Sequence, residues 1–141
     1  MASHSRTLTT TATPEAIWKL WSDPQTWGQW NPDVETCQLD GPMADGASGT
    51  MRTRSGGEHQ ISIESVEPGR AFTLVSTAIP GHRFAFTCSI EGAGDASSIT
   101  QSLSIRGPLK GLFNMMMGER VADAFPAILG GLKAAAEAER S

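Results

Sequence analysis

The stretch from residue 33 to residue 106 reads as six β-strands in succession, with no helical segment between them. Apolar and β-branched residues predict these strands at 33–40, 48–54, 58–67, 70–79, 82–91 and 97–106. Two of the intervening turns, EPGR at 67–70 and IPGH at 79–82, place Pro and Gly at the central positions of a type II turn. Tight turns join antiparallel neighbours, so this pattern predicts an antiparallel sheet.

One face of the sheet is predicted to be apolar. Successive side chains of a strand point to opposite faces, so alternate positions share a face. The shared face carries two polar residues, one thiol and a set of apolar residues: His59, Gln101, Cys88, Ile61, Ile63, Phe84, Phe86, Ile90, Ile99, Leu103 and Ile105. Because such a face is unstable in water, another element has to cover it.

The segment before the sheet predicts one more strand and two short helices. Thr-rich residues 5–12 favour an edge strand, which brings the expected total to seven. Thr13 is predicted as the N-cap of the first helix, with Pro14 at its first position. Pro24 and Pro32 end helical segments, because a residue before proline disfavours the α conformation, and one further helical turn fits at 25–29.

The C-terminal part of the chain predicts a single long helix over 109–139. Apolar residues recur there at helical spacing and form a wide stripe that includes Leu109, Leu112, Phe113, Met116, Met117, Val121, Phe125, Ile128, Leu129 and Leu132. Pro126 lies inside the pattern and is expected to kink or break the helix. Gly130 and Gly131 weaken the next turn.

Length and charge exclude several classes of protein. With 141 residues, the chain is expected to form one domain over 1–141. The net charge of −4 and the absence of a run of Lys and Arg argue against a nucleic-acid partner and against a polybasic membrane patch. No apolar run is long enough to span a membrane, and no secretory signal is recognisable at the N-terminus, so a cytoplasmic location is expected.

The two cysteines, Cys37 and Cys88, are too few for a disulfide scaffold and are expected to be reduced thiols. No group of Cys and His residues has the spacing of a metal site, and no glycine-rich phosphate loop is present. We therefore expect neither a metal nor a cofactor. The sequence leaves open whether the chain is a monomer or a homodimer.

The order of these elements, together with ATPEAIWKLWSDPQTWGQWNPDV at 12–34, resembles the START-like superfamily, also called SRPBCC or Bet v 1-like. The chain looks most like the polyketide cyclase/dehydrase branch. The residues that match its pattern are Pro14, Ile17, Trp18, Leu20, Trp21, Asp23, Pro24, Trp30, Pro32 and Val34, followed by PGRAFTLV at 68–75. The resemblance covers nearly the whole chain and is more specific for fold than for activity.

The resemblance implies an α+β helix-grip fold, in which a bent seven-stranded antiparallel sheet wraps around a long C-terminal helix. Two short helices follow the first strand and close one end. The space between sheet and helix is expected to hold a hydrophobic small molecule. The residues expected to line it are Trp27, Trp30, Ile61, Ile63, Phe84, Phe86, Gln101, Leu103, Phe113, Met116, Met117 and Arg120. The alternative, a completely filled core, stays open at this stage.

Three functions are compatible with these residues. The first is binding of a polyketide, a lipid or an aromatic compound in an apolar cavity. The second is a polyketide cyclase or dehydratase, for which His59 and His82 are the weak candidates as acid or base. The third is a stress or interaction module without a ligand. The scarcity of acid and base residues on the inward faces favours binding, with Gln101 as a group that bonds a ligand oxygen.

All four tryptophans lie within residues 18–30. Trp21 shares a helix face with Ile17 and Leu20, which predicts packing against the sheet. Trp27 and Trp30 are expected to seal the end of the fold that the short helices close. Whether either indole also reaches the cavity is a question for the tertiary structure.

Overall fold

The computed structural model describes residues 3–54, 57–76, 81–93, 96–113, 115–116 and 119–138. The end of the strand predicted at 70–79, the first two residues of the IPGH turn and the predicted cavity residue Met117 lie outside the described residues.

The seven strands form one sheet, as predicted. They are β1 (Ser3–Thr10), β2 (Val34–Leu39), β3 (Ser48–Thr53), β4 (Gly57–Glu67), β5 (Ala71–Ser76), β6 (Arg83–Ala93) and β7 (Ala96–Arg106). Every neighbouring pair is antiparallel, in the order β1-β7-β6-β5-β4-β3-β2. From β2 to β7 each strand lies beside the next one in the chain, because their connections are short. The chain reaches β2 from β1 through the short helices.

The hairpin between β4 and β5 has the geometry that its sequence predicts. Gly69 adopts a φ of 79°, which is left-handed backbone that favours glycine. The N–H of Arg70 donates to the carbonyl oxygen of Glu67 at 2.9 Å and closes the four-residue turn. This is the type II arrangement expected for EPGR.

Two short helices follow β1: α1 (Pro14–Trp21) and α2 (Trp27–Trp30), with a 3₁₀ turn at Pro24–Thr26 between them. The Thr13 hydroxyl accepts a hydrogen bond from the N–H of Ala16 at 3.2 Å, which confirms the predicted N-cap. Pro14 occupies the first turn of α1, and Pro24 opens the 3₁₀ turn. Pro14 therefore begins α1, and Pro24 follows its end and begins the 3₁₀ turn.

The C-terminal segment is helical, and the break expected at Pro126 lies just before it, in the turn at 123–124. The described helical residues are α3 (Lys110–Phe113), a π-helical pair at 115–116, α4 (Glu119–Ala122) and α5 (Phe125–Ala138). The break precedes Pro126, which takes the second position of α5, where the missing N–H has no helical partner to lose. The helix that the sheet wraps is therefore α5, and it is 14 residues long.

The buried side chains form two clusters. The larger one joins α1, α2 and α5 to the sheet and includes Ile17, Trp21, Phe72, Ile63, Leu129 and Leu132. The smaller one contains Phe84, Leu103, Ile105, Ala122, Phe125 and Ile128. Trp30 and Phe86 pack against both clusters. Because each cluster contributes side chains to a cavity described below, we infer that the cavity separates them.

The start of the fold is tied to the end of α5. The Thr10 hydroxyl donates to the Glu137 carboxylate at 2.8 Å, and the N–H of Thr11 donates to the same oxygen at 3.2 Å. These two hydrogen bonds lower the pKa of Glu137. They connect the C-terminal helix to the end of β1.

The backbones of α2 and α5 come into direct contact at Gly131. A Cβ atom built at this position would overlap the carbonyl oxygen of Trp30, whereas one at Gly130 would have no heavy atom within 4 Å. Gly131 is thus required by the approach of the two helices, although it weakens α5 as an isolated helix.

These neighbouring glycines make a matched pair of substitutions. Gly130→Ala should raise the free energy of unfolding by about 0.5–1 kcal/mol, because alanine favours helix and has space there. Gly131→Ala should lower it by about 1–3 kcal/mol, because the methyl group forces α2 and α5 apart. Urea denaturation of both variants measures the two effects. Equal stability changes would contradict the assigned helix contact.

Candidate ligand-binding site

Strand pairing brings the inner-face side chains into rows across the sheet. Leu74 of β5 lies opposite Phe86 of β6, and Phe86 lies opposite Leu103 of β7. In the next row, Phe72 lies opposite Cys88, and Cys88 lies opposite Gln101. Across β5, β6 and β7 the first row is apolar, whereas the second contains a thiol and an amide and continues to Arg6 of β1.

A cavity of about 750 Å³ lies between these rows, the short helices and the C-terminal segments. This volume falls within the range of small-molecule sites. Most of its wall is apolar, formed by Trp21, Trp27, Trp30, Pro32, Val34, Met51, Phe72, Leu74, Phe84, Phe86, Val121, Ala124, Phe125, Ala127 and Ile128. The other lining residues are Asn31, Asp33, Thr53, His59, Ser76, Cys88, Gln101 and Arg120. The space between sheet and α5 is therefore not filled by side chains.

Phe72 holds three of the four indoles against the sheet. The ring centroids of Trp18, Trp21 and Trp27 lie 6.2, 5.5 and 6.0 Å from that of Phe72. The first two contacts are edge-on and the third is stacked, which are both favourable arrangements of aromatic rings. Packing of Trp21 against the sheet is thereby confirmed, and its ring also lines the cavity.

Trp27 and Trp30 both reach the cavity, but they differ in burial. Trp27 is buried, and its Nε1–H points to the carbonyl oxygens of Leu20 and Trp21 at 3.2 Å each. Trp30 is half-buried, and its ring lies edge-on to that of Trp27 at 6.5 Å. Both rings line the cavity, so they seal the closed end and form part of its wall.

The mouth of the cavity is marked by lining residues that are exposed to solvent. These are Pro32 before β2, Arg120 in α4, Ala124 before α5 and Ala127 in α5. Asp33 is half-buried at the same place. An entrance therefore lies between the start of β2 and the α4–α5 corner.

Gln101 is a polar group set into the sheet wall. It is half-buried on β7, a strand flanked by β1 and β6, and it lines the cavity. Within the described part of the chain its side-chain amide makes no hydrogen bond to protein. An amide both donates and accepts, so Gln101 can bond a carbonyl or a hydroxyl group of a ligand.

His59 and His82, the two histidines considered as acid or base, occupy different surroundings. His59 lines the cavity, with its Nε2 3.4 Å from the Thr53 hydroxyl. Its Nδ1 is shielded from solvent and has no hydrogen-bond partner, so a ligand reaches that atom only if the ring moves. His82 is buried outside the cavity wall, and its Nε2 accepts the N–H of Leu109 at 3.0 Å. That bond gives His82 a structural position at the start of the C-terminal segment.

Some residues predicted for the cavity wall lie elsewhere. Ile61, Ile63 and Leu103 are on the predicted face but belong to the packed core, with 4%, 0% and 0% of their surfaces exposed. Phe113 packs edge-on against His82 and Phe84, behind the wall. These corrections have one reason: a shared sheet face indicates direction, whereas the elements above it decide which positions are covered.

Met116 does not line the cavity either. Its side chain is 64% exposed, so the predicted stripe does not face the cavity at this position. Trp27, Trp30, Phe84, Phe86, Gln101 and Arg120 do lie in the wall.

Several wall residues were not singled out from the sequence. Phe72, Leu74 and Ser76 come from β5, and Val34 and Met51 from the edge of the sheet. The β5 residues could have been found from the sequence, because the EPGR turn and the two-residue period of a strand indicate which of its side chains point inward. For Met51 and Val34 no comparable signal exists, since they reach the cavity through the way the sheet approaches α2.

Both cysteines are buried. Burial raises the pKa of the Cys37 and Cys88 thiols from 9.0 to about 12. Cys88 lines the cavity but behaves as a small apolar side chain, because little thiolate is available as a nucleophile.

No set of three or more Cys, His, Asp or Glu side chains within the described ranges is arranged to hold a metal ion. Among the same residues, no helix has both the length and the apolar character required to cross a membrane.

A family model described as polyketide cyclase / dehydrase and lipid transport matches residues 1–137. A comparison with curated protein sequences finds no match.

Solved structures share the fold over nearly the whole chain. A START superfamily protein from Mycobacterium smegmatis is 15% identical, with a TM-score of 0.73 and coverage of 96% of this chain and 97% of that one. A Thermus thermophilus protein is 14% identical, with a TM-score of 0.77 and coverage of 99% and 100%. A truncated norcoclaurine synthase from Thalictrum flavum is 16% identical, with a TM-score of 0.71 and coverage of 94% and 91%. The helix-grip fold expected from the sequence is confirmed.

The raised thiol pKa values predict slow labelling of the native chain. At about pH 8 both thiols stay protonated, so Ellman's reagent should react with neither until urea unfolds the chain. Since the fold favours the neutral thiols, it should lose stability as the pH rises above their ordinary pKa of 9.0. The labelling is measured by the absorbance of the thiolate that Ellman's reagent releases when it reacts. Fast labelling of Cys88 without urea would contradict its assigned burial.

Proposed function

This chain belongs to the polyketide cyclase / dehydrase and lipid transport family, and from that premise we propose that it binds a hydrophobic small molecule in the cavity between its sheet and α5. The ligand classes that fit are a polyketide, a lipid and an aromatic compound. The observation that carries the proposal is the cavity of about 750 Å³ with its largely apolar wall. Burial of an apolar ligand there removes its surface from water, which is the main source of affinity for such molecules.

Aromatic side chains support a flat or unsaturated ligand. Trp21, Trp27, Trp30, Phe72 and Phe86 all contribute to the wall. Rings of this kind offer large apolar faces and favour stacked or edge-on contacts with another ring. A flexible aliphatic chain gains the same burial but pays a larger entropic cost on being ordered.

Gln101 provides orientation. Its amide faces the cavity from β7, and its hydrogen-bonding capacity is not used by the described protein groups. A ligand oxygen placed there recovers that bond, whereas a ligand without one leaves the amide unsatisfied. We therefore expect an apolar ligand that carries at least one carbonyl or hydroxyl group.

A cyclase or dehydratase activity is the second candidate. Its support is the imidazole of His59 at the cavity wall, together with the shared fold of norcoclaurine synthase, which is a synthase by name. Against it stands the shielding of His59 Nδ1, which keeps that atom from a ligand unless the ring turns. A fold shared at this level of identity carries no reaction with it.

A ligand-free interaction module is the third candidate. It predicts a core without a large internal space, because an empty apolar cavity costs stability. The cavity between the two core clusters makes this function the least favoured.

Binding can be tested with a matched trio of naphthalenes: 2-naphthol, 2-methoxynaphthalene and 2-methylnaphthalene. Isothermal titration calorimetry of the whole chain should show that all three bind and that 2-naphthol binds tightest. Gln101→Leu should weaken 2-naphthol binding by about 3- to 10-fold, the value of one hydrogen bond. The same variant should leave 2-methylnaphthalene binding nearly unchanged.

Gln60→Leu is the control, because Gln60 is exposed on β4 and lies outside the cavity wall. It should bind all three probes as the original chain does. Absence of heat with every probe would refute the cavity as an apolar binding site. Equal losses of 2-naphthol affinity in both variants would leave binding intact but remove Gln101 from it.

Catalysis can be separated from binding by analysing the ligand after incubation. We expect an aromatic β-ketone that binds the chain to be recovered unchanged, as shown by liquid chromatography with mass spectrometry. A product lighter by one water that forms with the original chain but not with His59→Phe would favour the dehydratase. The phenylalanine ring is close in size to imidazole, and binding of 2-methylnaphthalene checks that the cavity survives.

A further inference from the structure

Apolar exposure is concentrated in one short segment. The exposed large hydrophobic residues of the described chain are Leu109, Leu112, Met115 and Met116, with 49%, 45%, 80% and 64% of their surfaces accessible. All four fall between residues 109 and 116. Single exposed apolar residues are ordinary, whereas a group of them marks a surface that contacts something else. We call Leu109, Leu112, Met115 and Met116 the apolar tip.

The segment is attached to the sheet at Leu109 and Phe113. The N–H of Leu109 donates to the buried His82, and Phe113 packs edge-on against His82 and Phe84 with centroid distances of 5.0 and 5.8 Å. The base of the segment is thus fixed to the sheet while the four side chains of the apolar tip face away. Because Leu109 and Leu112 lie at or between these attached residues, they are presented with little cost of ordering on contact.

The charge of the segment is opposite to that of the rest of the chain. Residues 106–120 contain Arg106, Lys110 and Arg120 against one acidic residue, Glu119, which gives a net charge of +2. Since the whole chain has a net charge of −4, the remaining residues carry −6. An anionic surface would therefore attract this segment and repel the rest of the molecule. The composition of the whole chain gives only its negative net charge and does not show that this segment is positively charged.

The apolar tip also borders the cavity entrance. Arg120 and Val121 line the cavity, and they lie four and five residues after Met116, the last residue of the tip. Phe113, within the same segment, supports the wall residue Phe84 from behind. A surface that contacts the tip is thereby placed close to the mouth.

A second copy of the chain fits this surface less well. In a two-fold dimer the same patch meets itself, so the cations around one tip would face those around the other. The one acidic residue of the segment, Glu119, does not offset its three cations. An anionic partner has the complementary charge.

We propose that the apolar tip docks on the surface of an anionic lipid bilayer. The Leu and Met side chains enter the boundary between headgroups and acyl chains, and Arg106, Lys110 and Arg120 contact lipid phosphates or carboxylates. Docking is peripheral and requires no helix that crosses the bilayer. It differs from polybasic attachment because apolar side chains provide the contact and only a few cations direct it.

Vesicle co-sedimentation of the whole chain tests the proposal. Vesicles of phosphatidylcholine with about 30% phosphatidylserine should bind the chain, and vesicles of pure phosphatidylcholine should bind it several-fold more weakly. Raising the salt from about 0.05 M to about 0.5 M should reduce the difference between the two. The double variant Met115→Glu/Met116→Glu should lower binding to the anionic vesicles by about tenfold or more.

The control is Thr36→Glu/Gln38→Glu, which adds the same charge at exposed positions of β2, the edge strand farthest from β1 and β7. It should reduce binding far less than the methionine variant. Thermal unfolding checks that both variants fold, and Leu112→Ser provides a milder tip variant if the double change does not. Equal effects of the two double variants, or no sedimentation of the original chain, would overturn the proposal. So would a vesicle-independent dimer that the methionine variant dissociates, because the tip would then be a self-association surface.

Discussion

The contact between Phe72 and the indoles of Trp18, Trp21 and Trp27 is the interaction on which the architecture depends. Phe72 is 2% exposed at the centre of the sheet, and the three rings come from the two short helices. Each favourable ring pair contributes about 0.5–1.5 kcal/mol beyond the burial of its surface. Together they fix α1 and α2 across one end of the sheet, which defines where the cavity can begin.

The position of α2 in turn sets the position of α5. Gly131 permits the backbone of α5 to touch the carbonyl of Trp30, and the hydrogen bonds from Thr10 and Thr11 to Glu137 hold the far end. Because α5 begins only at Phe125, it covers part of the apolar sheet face. The uncovered part becomes the cavity, and the shorter segments before α5 form its mouth and carry the apolar tip.

The sequence predicted an element correctly where the residues that define it lie within one turn of the chain. Thr13 and the EPGR turn behave as expected, since a capping hydroxyl and a left-handed glycine act within four residues. The break before Pro126 was expected, but the hydrophobic period alone did not report that Met116, a residue of the predicted stripe, faces solvent. Alternation placed Ile63 on the correct face, but it could not distinguish packed core from cavity wall.

By itself the sequence determined the positions of the strands, the start of α1 and the family, because these follow from local backbone preferences, strand period and a motif that spans α1 and α2. Only the tertiary structure decided that a cavity exists, that Gln101 faces it and His82 does not, and that the tip is exposed. These properties depend on distances between elements remote in the chain. Such distances are set by the sum of packing contacts, such as Gly131 against Trp30, which no local window of residues contains.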